Sequence, residues 1–140
     1  MTGKKGDFAV MSKARIMIVE DEWIIANDIK NSLADMDYRV TSIAGTAEEA
    51  INQAEENMPD LVLMDIMLQG SMNGIEAARE IRGRFGIPVI YLTAYDNQYL
   101  VNQAKTTDNY GYLLKPFKDK ELDIAIDMAL HRDRLEKGRI

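Results

Sequence analysis

Leu61-Val62-Leu63-Met64-Asp65 is a run of four apolar residues that ends on a carboxylate. It is short and apolar at every position, the pattern of a strand buried on both faces of a parallel sheet. A carboxylate closing such a strand is out of keeping with a plain core element, because a buried charge is costly unless it is paired. Asp65 is therefore read as a working group, and the rest of the chain as what serves it.

Working outward, Pro59 and Asp60 precede the run. Before them, Thr46-Ala47-Glu48-Glu49 has the spacing of a capping box, with Thr46 at the N-cap and Glu49 three residues on. Ala47, Ala50, Ile51 and Ala54 give that helix a small-residue inner face. Ile16-Met17-Ile18-Val19 is an earlier apolar strand, followed at once by Glu20-Asp21-Glu22. From Trp23 the spacing turns helical through Ile25, Ile29, Leu33 and Met36, and Tyr38 to Ile43 makes a weaker strand.

After Asp65 a loop from Met67 to Asn73 leads into a helix over Gly74 to Phe85, with Gly86 suited to its C-terminal cap. Pro88 to Leu92 is a fourth strand closing on Thr93, and Asp96 can cap a helix carrying Leu100 and Ala104. Tyr110 to Leu114 is a fifth strand closing on Lys115-Pro116, and a last helix runs from Asp119 to Leu135. Strand and helix thus alternate five times. That predicts an α/β fold: a doubly wound, five-stranded parallel sheet with helices on both faces. Residues 1–12 read as a flexible N-terminal arm, 13–136 as one domain and 137–140 as a C-terminal tail.

The composition narrows the function. At 140 residues and 46% hydrophobic, the chain suits one globular domain. It has no cysteine, which excludes disulfides, thiolate metal sites and cysteine nucleophiles and fits a cytoplasmic location. No apolar run approaches the roughly 20 residues of a membrane span. A net charge of −6 argues against direct nucleic-acid binding. With a single histidine, a transition-metal site is disfavoured, whereas a carboxylate site for a hard cation stays open.

Four strand ends carry chemistry: Glu20-Asp21, Asp65, Thr93 and Lys115. In an open α/β sheet, ligands bind outside the carboxyl ends of the strands, so these residues should converge on one crevice. Glu20, Asp21 and Asp65 would crowd negative charge that Lys115 alone does not balance, and a divalent cation, Mg²⁺ or Mn²⁺, would supply the rest. Asp21 and Asp65 are the expected direct ligands, with Glu20 through water and the Met67 backbone carbonyl completing the set. A carboxylate so placed can attack a phosphoryl group. Lys115 would hold one of its oxygens, and the Thr93 hydroxyl or a nearby backbone N–H such as that of Ala94 another.

Ile18-Val19-Glu20-Asp21-Glu22, Leu63-Met64-Asp65-Ile66-Met67, Leu92-Thr93-Ala94 and Leu114-Lys115-Pro116-Phe117 together resemble the receiver domain of two-component response regulators, over about Lys13 to Leu135. The resemblance implies the (βα)5 flavodoxin-like receiver fold. It implies that Asp65 takes phosphate from a phosphohistidine on a cognate histidine kinase with Mg²⁺ required, without small-molecule turnover. It also implies that Thr93 and Tyr112 form a switch pair, in which Thr93 turns to the phosphate and the aromatic ring moves inward. The Lys115-Pro116 peptide is similar to one that is cis in the family. A downstream protein target and a homodimer would use the face of the fourth helix, fifth strand and fifth helix, including Asn97, Tyr99, Lys105, Lys118, Asp119, Asp127 and Arg132. The alternative is a receiver fragment of a longer hybrid kinase or multidomain regulator.

Two positions depart from the family pattern: Gln69 replaces a common proline four residues after the acceptor, and the loop Leu68 to Gly74 looks one residue longer than usual. Rival classes fare worse. A dehalogenase-like phosphatase also uses an aspartyl nucleophile but needs a second aspartate two residues on, where this chain has Met67. A flavodoxin-like cofactor binder needs a phosphate-cradling loop after the first strand, where Glu20-Asp21-Glu22 would repel phosphate.

Overall fold

The computed structural model describes residues 13–94, 98–106 and 109–138. The arm expected over residues 1–12, the Asp96 cap and Asn97 lie outside the described residues. The chain runs β1 (Arg15–Val19), α1 (Trp23–Asp35), β2 (Arg39–Ala44), α2 (Ala47–Asn57), β3 (Leu61–Asp65), α3 (Gly74–Phe85), β4 (Val89–Thr93), α4 (Gln98–Thr106), β5 (Tyr112–Leu114) and α5 (Asp119–Glu136). All strand pairs are parallel, in the order β2-β1-β3-β4-β5. The strand order reverses between β1 and β3, so the carboxyl ends of these two strands flank the switch point where such sheets bind ligands.

Period-two alternation assigns the core. Met17, Val19, Val62, Met64, Val89 and Tyr91 face one side, packed with Ala47, Ala50 and Ala54 of α2, Ile75, Ala78 and Ile81 of α3, and Val101 and Ala104 of α4. Ile16, Ile18, Leu61, Leu63, Ile90 and Leu92 face the other, against Ala26, Ile29 and Leu33 of α1 and Leu122, Ile126 and Ala129 of α5. Ile18 pairs with Leu63 and Leu63 with Ile90, so one row of large aliphatics crosses the sheet centre. A one-residue slip would exchange every side chain between the two layers. β3 lies between β1 and β4 and is buried at all five positions, as its unbroken apolar run predicts.

Helix ends refine the sequence reading. The Thr46 side chain accepts from the Glu49 N–H at 3.1 Å, but the Glu49 carboxylate reaches back to the Gly45 N–H at 2.8 Å. The expected box at this helix is therefore half formed, because Glu49 overshoots the cap by one residue. The complete box is on α3: the Asn73 side chain accepts from the Glu76 N–H and the Glu76 side chain from the Asn73 N–H, both at 2.9 Å. At the far end of α2, Met58 turns left-handed at φ 44°. There the Arg15 guanidinium donates to the Asn57 and Met58 carbonyls at 2.7 and 2.8 Å, groups that helix ends leave without intrahelical partners.

The α1–β2 turn is tied to α5 by Tyr38, whose hydroxyl donates to Asp123 Oδ1 at 2.6 Å, while Lys13 Nζ stands 3.3 Å from the same oxygen. The Tyr38 hydrogen bond, aided by Lys13, holds the Asp123 carboxyl below its ordinary range. A carboxyl depressed in the fold stabilises above its unfolded value near pH 4 and loses that contribution as pH falls through the folded value. Asp123→Asn should therefore show a shallower fall in melting temperature below pH 4 than the wild type in calorimetric scans. Identical slopes would contradict the linkage.

Candidate functional site

The carboxyl ends of β1, β3, β4 and β5 lie along one edge of the parallel sheet. β1 ends directly in Glu20, whose side chain is fully buried. Its Oε1 lies 2.6 Å from Lys115 Nζ and its Oε2 accepts the Glu22 N–H at 3.2 Å. β3 ends in Asp65, only 4% exposed. Its Oδ1 accepts the Met67 N–H at 2.9 Å and its Oδ2 lies 3.5 Å from Lys115 Nζ. Asp21 lines the opening with Glu22, Ile25, Asp65, Met67, Gln69, Ala94 and Lys115, around a cavity of about 360 Å³.

The four expected strand ends do converge. Glu20, Asp21 and Asp65 present ligand oxygens all within 4.8 Å of one another. Lys115 reaches across from the end of β5, where its N–H donates to the Thr93 carbonyl at 2.8 Å. The Lys115-Pro116 peptide is cis. Thr93 is 3% exposed at the last position of β4, and Ala94 follows at the cavity rim. Tyr112 sits apart at the sheet edge, 38% exposed, its ring centroid 6.3 Å from that of Tyr91.

The charges explain each other. Burial pushes Glu20 up to about 7; the Lys115 hydrogen bond opposes this, and the Asp65 charge adds to it. Burial would by itself lower Lys115, but the Glu20 hydrogen bond and the negative charges of Asp65 and Glu20 outweigh it and raise the lysine. One ammonium thus serves two buried carboxylates with a third beside them. An all-oxygen cluster short of positive charge is the donor set a hard divalent cation prefers, so the residues fit Mg²⁺ or Mn²⁺.

Three features escaped the sequence reading. One is the 2.6 Å Lys115–Glu20 pair, which places the lysine against the first strand end as well as the third. Another is the Met67 N–H, which holds the Asp65 carboxylate, whereas the sequence singled out the Met67 carbonyl. The third is Gly74, the first residue of α3, which lies against the Asp65 peptide. A hydrophobic-pattern reading carries no signal for pairs 95 residues apart; a glycine opening a helix just after the site loop was the available hint for the third.

The family model of the response regulator receiver domain matches residues 16–127. The chain belongs to the response-regulator receiver family. It is 37% identical over 134 residues to the transcriptional regulatory protein PdtaR of Mycobacterium tuberculosis, covering 96% of this chain and 65% of PdtaR. It is 34% identical over 128 residues to the DNA-binding response regulator MtrA of Mycolicibacterium smegmatis, covering 91% of this chain and 55% of MtrA. Among solved structures, the signal receiver domain of a modulated diguanylate cyclase from Desulfovibrio desulfuricans G20 superposes with a TM-score of 0.84 at 32% identity, covering 88% of this chain and 98% of that one. The five-stranded doubly wound receiver fold is thereby shown, and with it a place in two-component signalling. The receiver spans between about half and two-thirds of the curated relatives it matches. Both relatives are named for transcription or DNA binding, which qualifies the expectation of no nucleic-acid contact for any longer protein that carries this receiver. Among the described residues, no helix is long and apolar enough to cross a membrane.

Proposed function

We propose that this receiver accepts a phosphoryl group on Asp65 from a phosphohistidine of a cognate histidine kinase. The observation that carries the proposal is the arrangement at the end of β3: a buried carboxylate, fixed by the Met67 N–H, beside a lysine ammonium 3.5 Å away and two further carboxylates. An Asp65 oxygen attacks phosphorus as the phosphorus–nitrogen bond breaks, and that electron pair returns to the imidazole. The product is an aspartyl phosphate, with no small-molecule turnover.

Phosphoryl transfer depends on positioning and charge stabilisation. Lys115, already inside the site, moves from Asp65 toward a phosphoryl oxygen. The Thr93 hydroxyl and the Ala94 N–H receive the others. Glu20, Asp21, Asp65 and the Met67 carbonyl would hold the divalent ion, which supplies the positive charge that Lys115 alone lacks.

The readout is proposed to run through Thr93 and Tyr112. As Thr93 turns to the phosphate, the half-exposed Tyr112 ring moves inward and alters the face of α4, β5 and α5. Tyr99 and Leu114, 70% and 47% exposed, give that face apolar surface for a downstream protein or a second copy of the receiver. A receiver working as the input module of a longer regulator would use the same face.

Incubation with acetyl phosphate and Mg²⁺, followed by intact mass, tests the reading. The expected result is a gain of one phosphoryl group, lost when the divalent ion is chelated. No gain, or a gain indifferent to chelation, would refute it.

A further inference from the structure

Gly74 opens α3, directly after the site loop. A Cβ built on it would stand 2.1 Å from the Asp65 carbonyl oxygen, 2.8 Å from the Ile66 Cα and 2.9 Å from the Asp65 carbonyl carbon. All three are backbone atoms, which cannot swing aside as a side-chain tip can. The residue is not needed for a left-handed turn, since its φ lies outside the positive region. It is needed for space alone, and glycine there costs helix propensity. Gly83, in the same helix, shows the contrast: a Cβ there meets nothing within 4 Å.

The first turn of α3 is itself firmly held. The Gly74 N–H donates to the Ile66 carbonyl at 3.3 Å, and the Asn73–Glu76 box closes the turn around it. Ile75 and Met72 anchor the turn on either side in the core. So a rigid helix start rests, backbone on backbone, against the peptide of Asp65 and Ile66. Two residues on, the Met67 N–H holds the Asp65 carboxylate.

We infer that Gly74 is a positioning residue for the acceptor: the close approach of α3 sets where the Asp65 carboxylate stands relative to Lys115. This rests on Asp65 being the phosphoacceptor. A side chain at residue 74 must push the Asp65–Ile66 peptide away, and misplacement of about 1 Å can cost on the order of a hundredfold in rate.

The test compares Gly74→Ala with Gly83→Ala, the same chemical change in the same helix, and with Ile81→Val, a mild core loss on α3. Each is incubated with acetyl phosphate and Mg²⁺ under conditions where circular dichroism shows it folded. Initial rates are measured by intact mass across donor concentrations. Gly74→Ala should lose at least about tenfold in maximal rate with donor half-saturation changed less than about twofold. Gly83→Ala and Ile81→Val should stay within about twofold of wild type, because neither touches the Asp65 peptide. A wild-type rate in folded Gly74→Ala, or an equal loss in Ile81→Val, would overturn the inference. If Gly74→Ala does not fold, the decision passes to Asn73→Ala/Glu76→Ala. That pair unties the turn from the exposed side, and its maximal rate should fall severalfold; an unchanged rate overturns the inference. Failure of the wild type itself to gain phosphate would instead reject Asp65 as acceptor, so the two failures are told apart.

Discussion

Asp65→Asn is expected to abolish phosphate uptake from acetyl phosphate and Mg²⁺ and to leave the fold in place. Asparagine keeps the shape of the side chain and an oxygen for the Met67 N–H, now 2.9 Å from Asp65 Oδ1. It removes the anionic nucleophile, and an amide oxygen has no comparable reactivity toward phosphorus. The change should not cost stability. Glu20, Asp21 and Asp65 crowd three carboxylates together, and the Asp65 charge is among the causes that raise Glu20. Neutralising one member relieves that repulsion and leaves Lys115 to Glu20 at 2.6 Å. The measurements are intact mass for the phosphoryl group and calorimetry for the fold. The expected pair is no mass gain with a melting temperature equal to or above wild type. Persistent gain would place the acceptor elsewhere. A collapse in melting temperature would make Asp65 a structural residue.

What was legible in the sequence follows from how much of each element one neighbour can disguise. β3 has a strand on each side and a helical layer on each face, so its sequence could only be apolar, and its bounds were read correctly. β2 is an edge strand, half-exposed for most of its length, with a register shift against β1 between Ile16 and Met17. Its apolar pattern is accordingly weak, and the expected Tyr38–Ile43 lies one residue early. β5 is shorter than expected because Gly111, at φ 145°, breaks the extended run before Tyr112. The convergence of Glu20, Asp21, Asp65, Thr93 and Lys115 was readable because parallel strands put all their carboxyl ends on one edge. The pairings within the site were not, because they depend on side-chain reach between elements far apart in sequence. The same limit hid the charges at the opposite edge of the sheet, where helix-surface residues look like an ordinary solvated face.

Those charges carry the second large effect. Asp133 of α5 is 6% exposed, and Arg82 Nη1 lies 3.2 Å from its Oδ1 while donating to the Gly86 carbonyl at 2.9 Å. The other arm of the guanidinium donates to the Tyr110 hydroxyl, which in turn donates to Glu136. Arg82 and Arg132 each lie 4.7 Å from the Tyr110 ring centroid. Burial, with the Glu136 hydrogen bond, pushes the Tyr110 hydroxyl up to about 12, so it stays a donor at neutral pH. One planar group thus joins α3, the α3–β4 turn, the segment just before β5 and the last turns of α5. Arg82→Ala leaves Asp133 with Lys137, whose Nζ is 2.9 Å from Oδ2, as its remaining cation, and leaves the Gly86 carbonyl to Lys137 alone. Breaking a buried pair from one side typically costs about 3 kcal/mol or more. For a chain of this size that is a fall of roughly 10 °C in melting temperature. Arg82→Lys should recover less than half of it, because an ammonium cannot reach Asp133, Gly86 and Tyr110 at once as the fork does. Urea unfolding of wild type and both variants checks this. A loss below about 1 kcal/mol for Arg82→Ala would mean that Lys137 suffices and the guanidinium is a surface group. Phosphate uptake at Asp65 should be unaffected in the folded fraction of either variant, since this network lies at the end of the sheet away from the acceptor.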